Sequence, residues 1–237
     1  TTGQRNTGVG FGALTGQVGG ENNTGVGYYA LQANVAGGRN TAIGAQSLYN
    51  MTQASATNTY NVAVGYSSGY AITSGVENTV IGSLAGDAIT TGYYNVALGY
   101  AALTSETTGR GTVAIGHNAL YTQNLTGGTN TYTVAVGKNA GYATTTGHQN
   151  VLVGGLAGDA ITTGSNNVAV GTFSLTADDV GSYTTAVGYN SLASQNFASA
   201  TDSYNTGIGA RAGQTITTAI YNTLLGGQAG YLITTGS

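Results

Sequence analysis

Thirteen short apolar runs, each closed by a glycine, recur along this chain at intervals of 17 or 21 residues. No other feature constrains the fold as strongly. The closing glycines are Gly10, Gly27, Gly44, Gly65, Gly82, Gly99, Gly116, Gly137, Gly154, Gly171, Gly188, Gly209 and Gly226. The interval is 21 after Gly44, Gly116 and Gly188 and 17 everywhere else, so three short units and one long unit make a super-repeat of 72 residues. The stretch LAGDAITTG therefore occurs twice, at residues 84–92 and 156–164, one super-repeat apart. Fixed self-similarity at such a short period marks a stacked-repeat architecture.

Each position within the unit has its own rule. Asn stands four residues before the closing glycine in ten of thirteen units, and Thr112, Thr133 and Thr184 replace it in the others. The residue before the glycine is always Val, Ile or Leu, and the one two places earlier is always Val or Thr. Between them lies Gly or Ala in ten units and Val80, Leu152 or Leu224 in the remaining three. Where that middle residue is large, the fourth residue after the closing glycine is glycine (Gly86, Gly158, Gly230); elsewhere it is often Leu, as at Leu48, Leu103, Leu120, Leu175 and Leu192. A volume lost at one position is regained at the other, which predicts that both border one packing space. A second glycine ends nine of the ten complete 17-residue units, as at Gly75, Gly92 and Gly164, with Ala219 the exception.

Alternation of β-branched and small residues before the glycine predicts a strand with two unlike faces. The fixed glycines suit turns with positive φ. The Asn suits a corner, where its amide meets the same Asn one rung away. The rest of the unit reads as a turn, a second and shorter strand, and a return. A unit this short closes no core alone, but stacked copies do, by parallel pairing at ~4.8 Å per rung. The expected architecture is all-β: a parallel β-solenoid of about thirteen coils, roughly 60 Å long by that spacing, forming a single domain over residues 1–237. So thin a coil leaves the Gly/Ala face available for another backbone, which predicts association with further chains. Both ends fall inside a repeat and neither carries an atypical capping unit, so the expectation is a segment of a longer fibre with end-to-end stacking.

Composition narrows the function. Net charge is −3, and the five cationic residues, Arg5, Arg39, Arg110, Lys138 and Arg211, are scattered singly. No basic stripe follows a phosphate backbone, which argues against nucleic acid. No apolar run is long enough to cross a membrane as a helix. Cysteine is absent, so no thiolate metal site or disulfide is expected.

Chemistry is sparse. His117 and His148 lack counterparts one super-repeat away, where Tyr189 and Ile220 stand. Asp87 and Asp159 recur but Tyr231 takes the third place; Asp178 and Asp179 are isolated; no calcium nonapeptide repeats. No metal, cofactor or catalytic residue is expected, and the chain does not read as an enzyme. Threonine pairs at 90–91, 107–108, 162–163 and 234–235 read as bridges between rungs at a corner. The alternative, an ice-binding face, suffers because adjacent strand residues point opposite ways.

The stretches NTAIGAQSL, NVAVGYSSG, NVALGYAAL and TVAIGHNAL resemble the head repeats of trimeric autotransporter adhesins, and still more the NTAIGxxAL arrays of bacteriophage tail fibres and related bacterial surface fibres. The resemblance covers the whole chain. It implies a left-handed parallel β-roll, a parallel homotrimer, and a place outside a cell or virion. Adhesin-head units are shorter, so 17 and 21 residues mean longer corners here. The family has no catalytic residues to carry over.

The function expected is a structural and adhesive extracellular fibre: a rigid shaft presenting loops to a host or surface. The alternative is a carbohydrate-binding module acting on a cell-surface glycan through exposed Tyr and Asn/Gln ladders. Its candidate residues are Tyr60, Tyr132 and Tyr204, which end the long units, together with Tyr70 and Tyr142. Asn50, Asn124 and Asn196 lie in the expansions at residues 49–60, 121–132 and 193–204. Variable loops on a rigid scaffold are favoured binding sites. Asn50 and Asn124 also open glycosylation sequons.

Overall fold

The computed structural model describes residues 3–55 and 57–235. The chain is all-β, with no helix among the described residues, and forms a parallel β-solenoid of about thirteen coils. It divides into two compact units, residues 1–112 with 124–130, and residues 113–123 with 131–237. The first contains β1 (Thr7–Val9), β2 (Thr24–Val26), β3 (Gly37–Gly38), β4 (Thr41–Ile43), β5 (Thr57–Asn58), β6 (Val62–Val64), β7 (Thr79–Ile81) and β8 (Val96–Leu98). The second contains β9 (Val113–Ile115), β10 (Val134–Val136), β11 (Val151–Val153), β12 (Val168–Val170), β13 (Gly181–Ser182), β14 (Thr185–Val187), β15 (Thr201–Asp202), β16 (Thr206–Ile208) and β17 (Thr223–Leu225).

Equivalent repeat positions sit side by side. In the first unit Thr7 pairs with Thr24 and Ala42 with Ala63; in the second Val134 pairs with Val151 and Ala169 with Ala186. The 21-residue units keep this register and place their extra residues beside the main sheet. There β3 pairs with β5 and β13 with β15, and Arg110 bridges Asn130 in the same way.

Among the described residues the expected second strand forms only beside the first and third expansions, as β3, β5, β13 and β15, and not in the other coils. After each closing glycine the chain turns instead, with left-handed residues two and four places on, such as Gln46 (φ 59°) and Leu48 (φ 47°). A third left-handed residue precedes the Asn position, and it is Tyr at Tyr60, Tyr94, Tyr132, Tyr183, Tyr204 and Tyr221. The Asn itself is not left-handed. Two kinds of glycine also separate. The closing glycines have positive φ, and at Gly82 (φ 131°) a Cβ would in addition collide with the carbonyl of Gly99 on the next rung. Gly92 has ordinary φ and is small only because a Cβ would lie 2.6 Å from the oxygen of Gly109.

The core is the inward face of the strands together with the turns. Ala42, Ala63, Ala97, Ala135 and Ala169 are fully buried, as are Leu31, Leu48, Leu103, Leu120, Leu175 and Leu192. The shared packing space predicted from sequence is present. A Cβ on Gly158 would lie 2.7 Å from Cδ2 of Leu152, one on Gly86 2.8 Å from Cγ1 of Val80, and one on Gly230 2.7 Å from Cδ2 of Leu224. A third residue, seven after the closing glycine, completes the set. Where the turn carries glycine, Ile72, Ile89, Ile161 and Ile216 fill the room, with the buried Thr144 standing there in the coil of Gly141. Where it carries Leu, the room is taken, and Gln17, Asn34, Met51, Glu106, Gln123, Asp178 and Gln195 stand there instead.

The Asn column is a hydrogen-bonded ladder. Asn78 Nδ2 donates to Gly92 O (2.9 Å), and Asn78 Oδ1 accepts from Asn95 N (3.1 Å) and Asn95 Nδ2 (3.1 Å). Asn61, Asn95, Asn150 and Asn167 repeat the pattern. Asn78→Ala orphans the fully buried Gly92 carbonyl and Asn95 N–H. It is expected to cost about 2–4 kcal/mol in urea unfolding. Asn78→Thr, the residue found at 112, 133 and 184, is expected to cost less.

Candidate interaction surface

With the small middle residue facing the core, the β-branched residues on either side face outward. This reverses the expected assignment, in which the Gly/Ala face met neighbouring chains. Val9 is 57% exposed, Ile43 41%, Leu98 43% and Ile208 38%, and the equivalent residues of intervening coils are half-buried. The position after the closing glycine continues the surface with exposed Phe11, Tyr28, Tyr66, Tyr100 and Tyr189. In each unit a ladder of in-register strands therefore carries an outward apolar column.

The predicted tyrosines lie on other columns. Tyr60, Tyr132 and Tyr204 are exposed on the left-handed corner. Tyr204 is stacked on both sides, by Tyr183 at 5.3 Å and 17° and by Tyr221 at 5.5 Å and 8°. Partial burial, then Asp202 and the neighbouring rings, push its hydroxyl pKa up. Tyr60 lies under the Arg39 guanidinium, 5.5 Å from the ring centroid, and its hydroxyl accepts from Arg39 Nη1 (3.3 Å). Tyr70 stacks on Tyr49 (5.1 Å) and Tyr142 on Tyr121 (5.2 Å). Tyr204 thus spends both faces on neighbouring rings, and Tyr70 and Tyr142 one face each, whereas stacking on a sugar uses a free face.

Most described residues of the first and third expansions are exposed, and five of the twelve in the second, but the asparagines differ. Asn196 is exposed; Asn50 and Asn124 are half-buried. Asn124 Oδ1 accepts from Thr107 Oγ1 (2.8 Å), and the middle residues of the two sequons, Met51 and Leu125, are anchored in the core.

The threonine corner is structural. The hydroxyls of Thr90, Thr145 and Thr162 donate to the carbonyls of Thr107, Thr162 and Asp179 on the next rung. Asp87 accepts from Thr104 and Asp159 from Thr176, again rung to rung. The imidazole of His148 lies 3.3 Å from Thr146 O and 3.2 Å from Ser165 Oγ. No group of three His, Cys, Asp or Glu residues converges among the described residues.

Two carboxylates lie fully buried in the core, which the sequence reading passed over. Glu106 Oε1 accepts from the backbone N–H groups of Thr107, Thr108 and Gly109, and Oε2 from Leu125 N. Asp178 accepts from Gly181 N (2.9 Å) and Gln195 Nε2 (2.6 Å). Gln195 Oε1 in turn accepts from Asn205 Nδ2 (2.8 Å), carrying the ladder across a unit in which Thr184 replaces Asn. Burial raises both carboxyl pKa values above the ordinary 4.5 and 3.8, with backbone and Gln195 hydrogen bonds opposing it. Burial also raises Asp87 and Asp159. A carboxyl with a raised folded-state pKa favours folding when protonated. That contribution is complete below the unfolded pKa and lost as pH rises through the folded one. The melting temperature is therefore expected to rise, not fall, as pH is lowered from neutrality toward the ordinary carboxylate range. Asp178→Asn is expected to flatten that profile.

No family model matches the chain, and no curated protein or solved structure is significantly similar to it. Fold and surface define a parallel β-solenoid repeat protein with an apolar column along its outer strand face.

Proposed function

We propose that this chain is a stiff segment of an extracellular attachment fibre, assembled as a parallel homotrimer, whose expanded coils present the recognition surface. The observation carrying this reading is the outward Val/Ile/Leu column. Thirteen closing-glycine units all place a branched aliphatic residue there, and a monomer leaves them facing water. An apolar stripe of this kind, present in each of the two units, marks an interface. Three copies related by an axis parallel to the solenoid set stripe against stripe without unpairing any strand. The resemblance to adhesin heads and phage-fibre arrays selects three. Exposed polar loops at three points suit attachment, and extracellular placement follows from the same resemblance.

Sedimentation equilibrium of the purified chain tests the assembly. The expected mass is three times the 23.5 kDa protomer, and a concentration-independent 23.5 kDa species contradicts it. A carbohydrate module acting through the tyrosine ladders is the second reading. It is weakened by the stacking of Tyr204 between Tyr183 and Tyr221.

A further inference from the structure

The first expanded coil holds a cleft of about 210 Å³ lined by Gly19, Gly20, Glu21, Gly38, Thr57 and Asn58, with Ala36 at its wall. It is open because Gly19 and Gly38 carry no side chain. One super-repeat later Gly38 becomes Arg110, Gly19 becomes Thr91 and Glu21 becomes Tyr93. There the Arg110 guanidinium lies 4.4 Å from the Tyr93 ring centroid and reaches Gly128, where a Cβ would lie 2.5 Å from Arg110 Nη2. The same corner is thus hollow in the first expansion and covered in the second, and in the third it carries Ser182, Thr163 and Ser165.

The geometry points to this cleft as a binding site for a single saccharide ring, entered beside the loop of the first expansion. Charge selects against an ion. The Glu21 carboxylate is paired with Arg5 (2.9 Å), so the lining is close to neutral. What remains is hydrogen-bonding capacity of both signs: the Asn58 amide, the outer carboxylate oxygen of Glu21, the Thr57 hydroxyl, which also bonds Ser55 Oγ (3.2 Å), and glycine backbone with no side chain to hold a ligand off. Ala36 supplies a small apolar wall for a C–H face. Few polar groups on a close backbone wall are how a neutral polyol is oriented. The Gly20 carbonyl is already used by Asn6 Nδ2 (2.8 Å), which fixes the floor of the cleft. The site replaces the tyrosine faces as the place where a glycan is met.

The test is a ¹⁵N–¹H titration of the whole chain with methyl α-glucopyranoside, methyl β-galactopyranoside and methyl N-acetyl-β-glucosaminide. At least one glycoside is expected to move the Gly19, Gly20 and Gly38 amides saturably. Gly38→Arg writes in the residue that the fold already accepts one super-repeat later, at a position whose φ is not left-handed. It is expected to abolish the response. Asn58→Ala, on an exposed side chain, is expected to weaken it about tenfold through one lost hydrogen bond. Thermal melting of both variants checks that they fold. No shift with any glycoside, or shifts that survive Gly38→Arg, overturns the assignment. The inference rests on the attachment reading, yet the two fail separately. A chain that is monomeric and binds a glycoside overturns the trimeric fibre and keeps the cleft. A trimer indifferent to every glycoside overturns the cleft alone.

Discussion

Replacing Val136 and Val153 together by Lys is expected to convert a particle of three times 23.5 kDa into one of 23.5 kDa. Both residues are half-buried on the outward face of β10 and β11 and lie directly opposite each other in the ladder. In the proposed trimer they sit in the closed stripe, where two ammonium groups per chain find no water and no partner. Burying an unpaired charge is costlier than any contact it replaces, several kcal/mol per group even after relaxation. In the isolated chain the Lys head reaches solvent, so the coil itself stays folded. Sedimentation and far-UV circular dichroism separate these effects: a mass change with unchanged dichroism supports the interface, and an unchanged mass removes it. Ala135→Lys is the contrasting variant. Ala135 is fully buried between Val134 and Val136 in β10, so that substitution is expected to unfold the chain rather than dissociate it.

The second large effect concerns the core. Gly158→Leu puts a side chain into space already held by Leu152 and Ile161, whose Cδ2 and Cδ1 atoms would lie 2.7 and 2.8 Å from the new Cβ. It is expected to cost about 2–4 kcal/mol, overpacking and left-handed strain together (φ 56° at Gly158). Leu152→Ala alone leaves a cavity and is expected to cost about 2–5 kcal/mol. Made together, the two recreate the Ala-with-Leu pairing found at Ala114 and Leu120. The double variant is expected to lose less than the sum by at least about 1 kcal/mol. Strict additivity in urea unfolding means the two positions do not share a space. Ile161 limits the rescue, since coils with Leu in the turn carry a polar residue or Met at that third position.

Much of the fold was legible in the spacing alone. Thirteen closing glycines set the number of coils, and the reciprocal sizes of Leu152 and Gly158 showed that the two positions share one packing space. The Asn ladder followed from a side chain able to donate to one backbone and accept from another. What was not legible has physical causes. Alternation along three residues defines two faces but does not say which is inward. Alanine on the inside works only because Leu120, Leu175 and their equivalents reach in from the turns. That was hidden because these leucines are left-handed, a conformation Leu rarely adopts and no propensity argument predicts. The second strand missing from most coils has the same origin: alternating right- and left-handed residues turn the chain where extended residues would continue it. Asp178 was read as an isolated charge, and Glu106 was not singled out. Their signal was the three-way pattern in which Leu in the turn accompanies a polar residue three places later.

On the surface side, sequence singled out Tyr60, Tyr132, Tyr142 and Tyr204, which are exposed, and Tyr70, which is half-buried. It did not place Tyr204 between two other rings, because Tyr183 and Tyr221 fall in flanking units without a counterpart in every super-repeat. The cleft at Gly38 was invisible for a similar reason. It is made by side chains that are absent, and only the pairing of β3 with β5 brings Gly38 beside Asn58.

In-register stacking of the coils underlies every one of these expectations, and one distance tests it. Thr146 and Thr218 are exposed, lie in the same unit of the chain and are 72 residues, four rungs, apart. Spin labels at both positions, diluted with unlabelled chain and measured by double electron–electron resonance, are expected to give a narrow distribution centred at about 19 Å. A broad distribution, or a narrow one with no component near that value, contradicts the stacked solenoid and everything built on it.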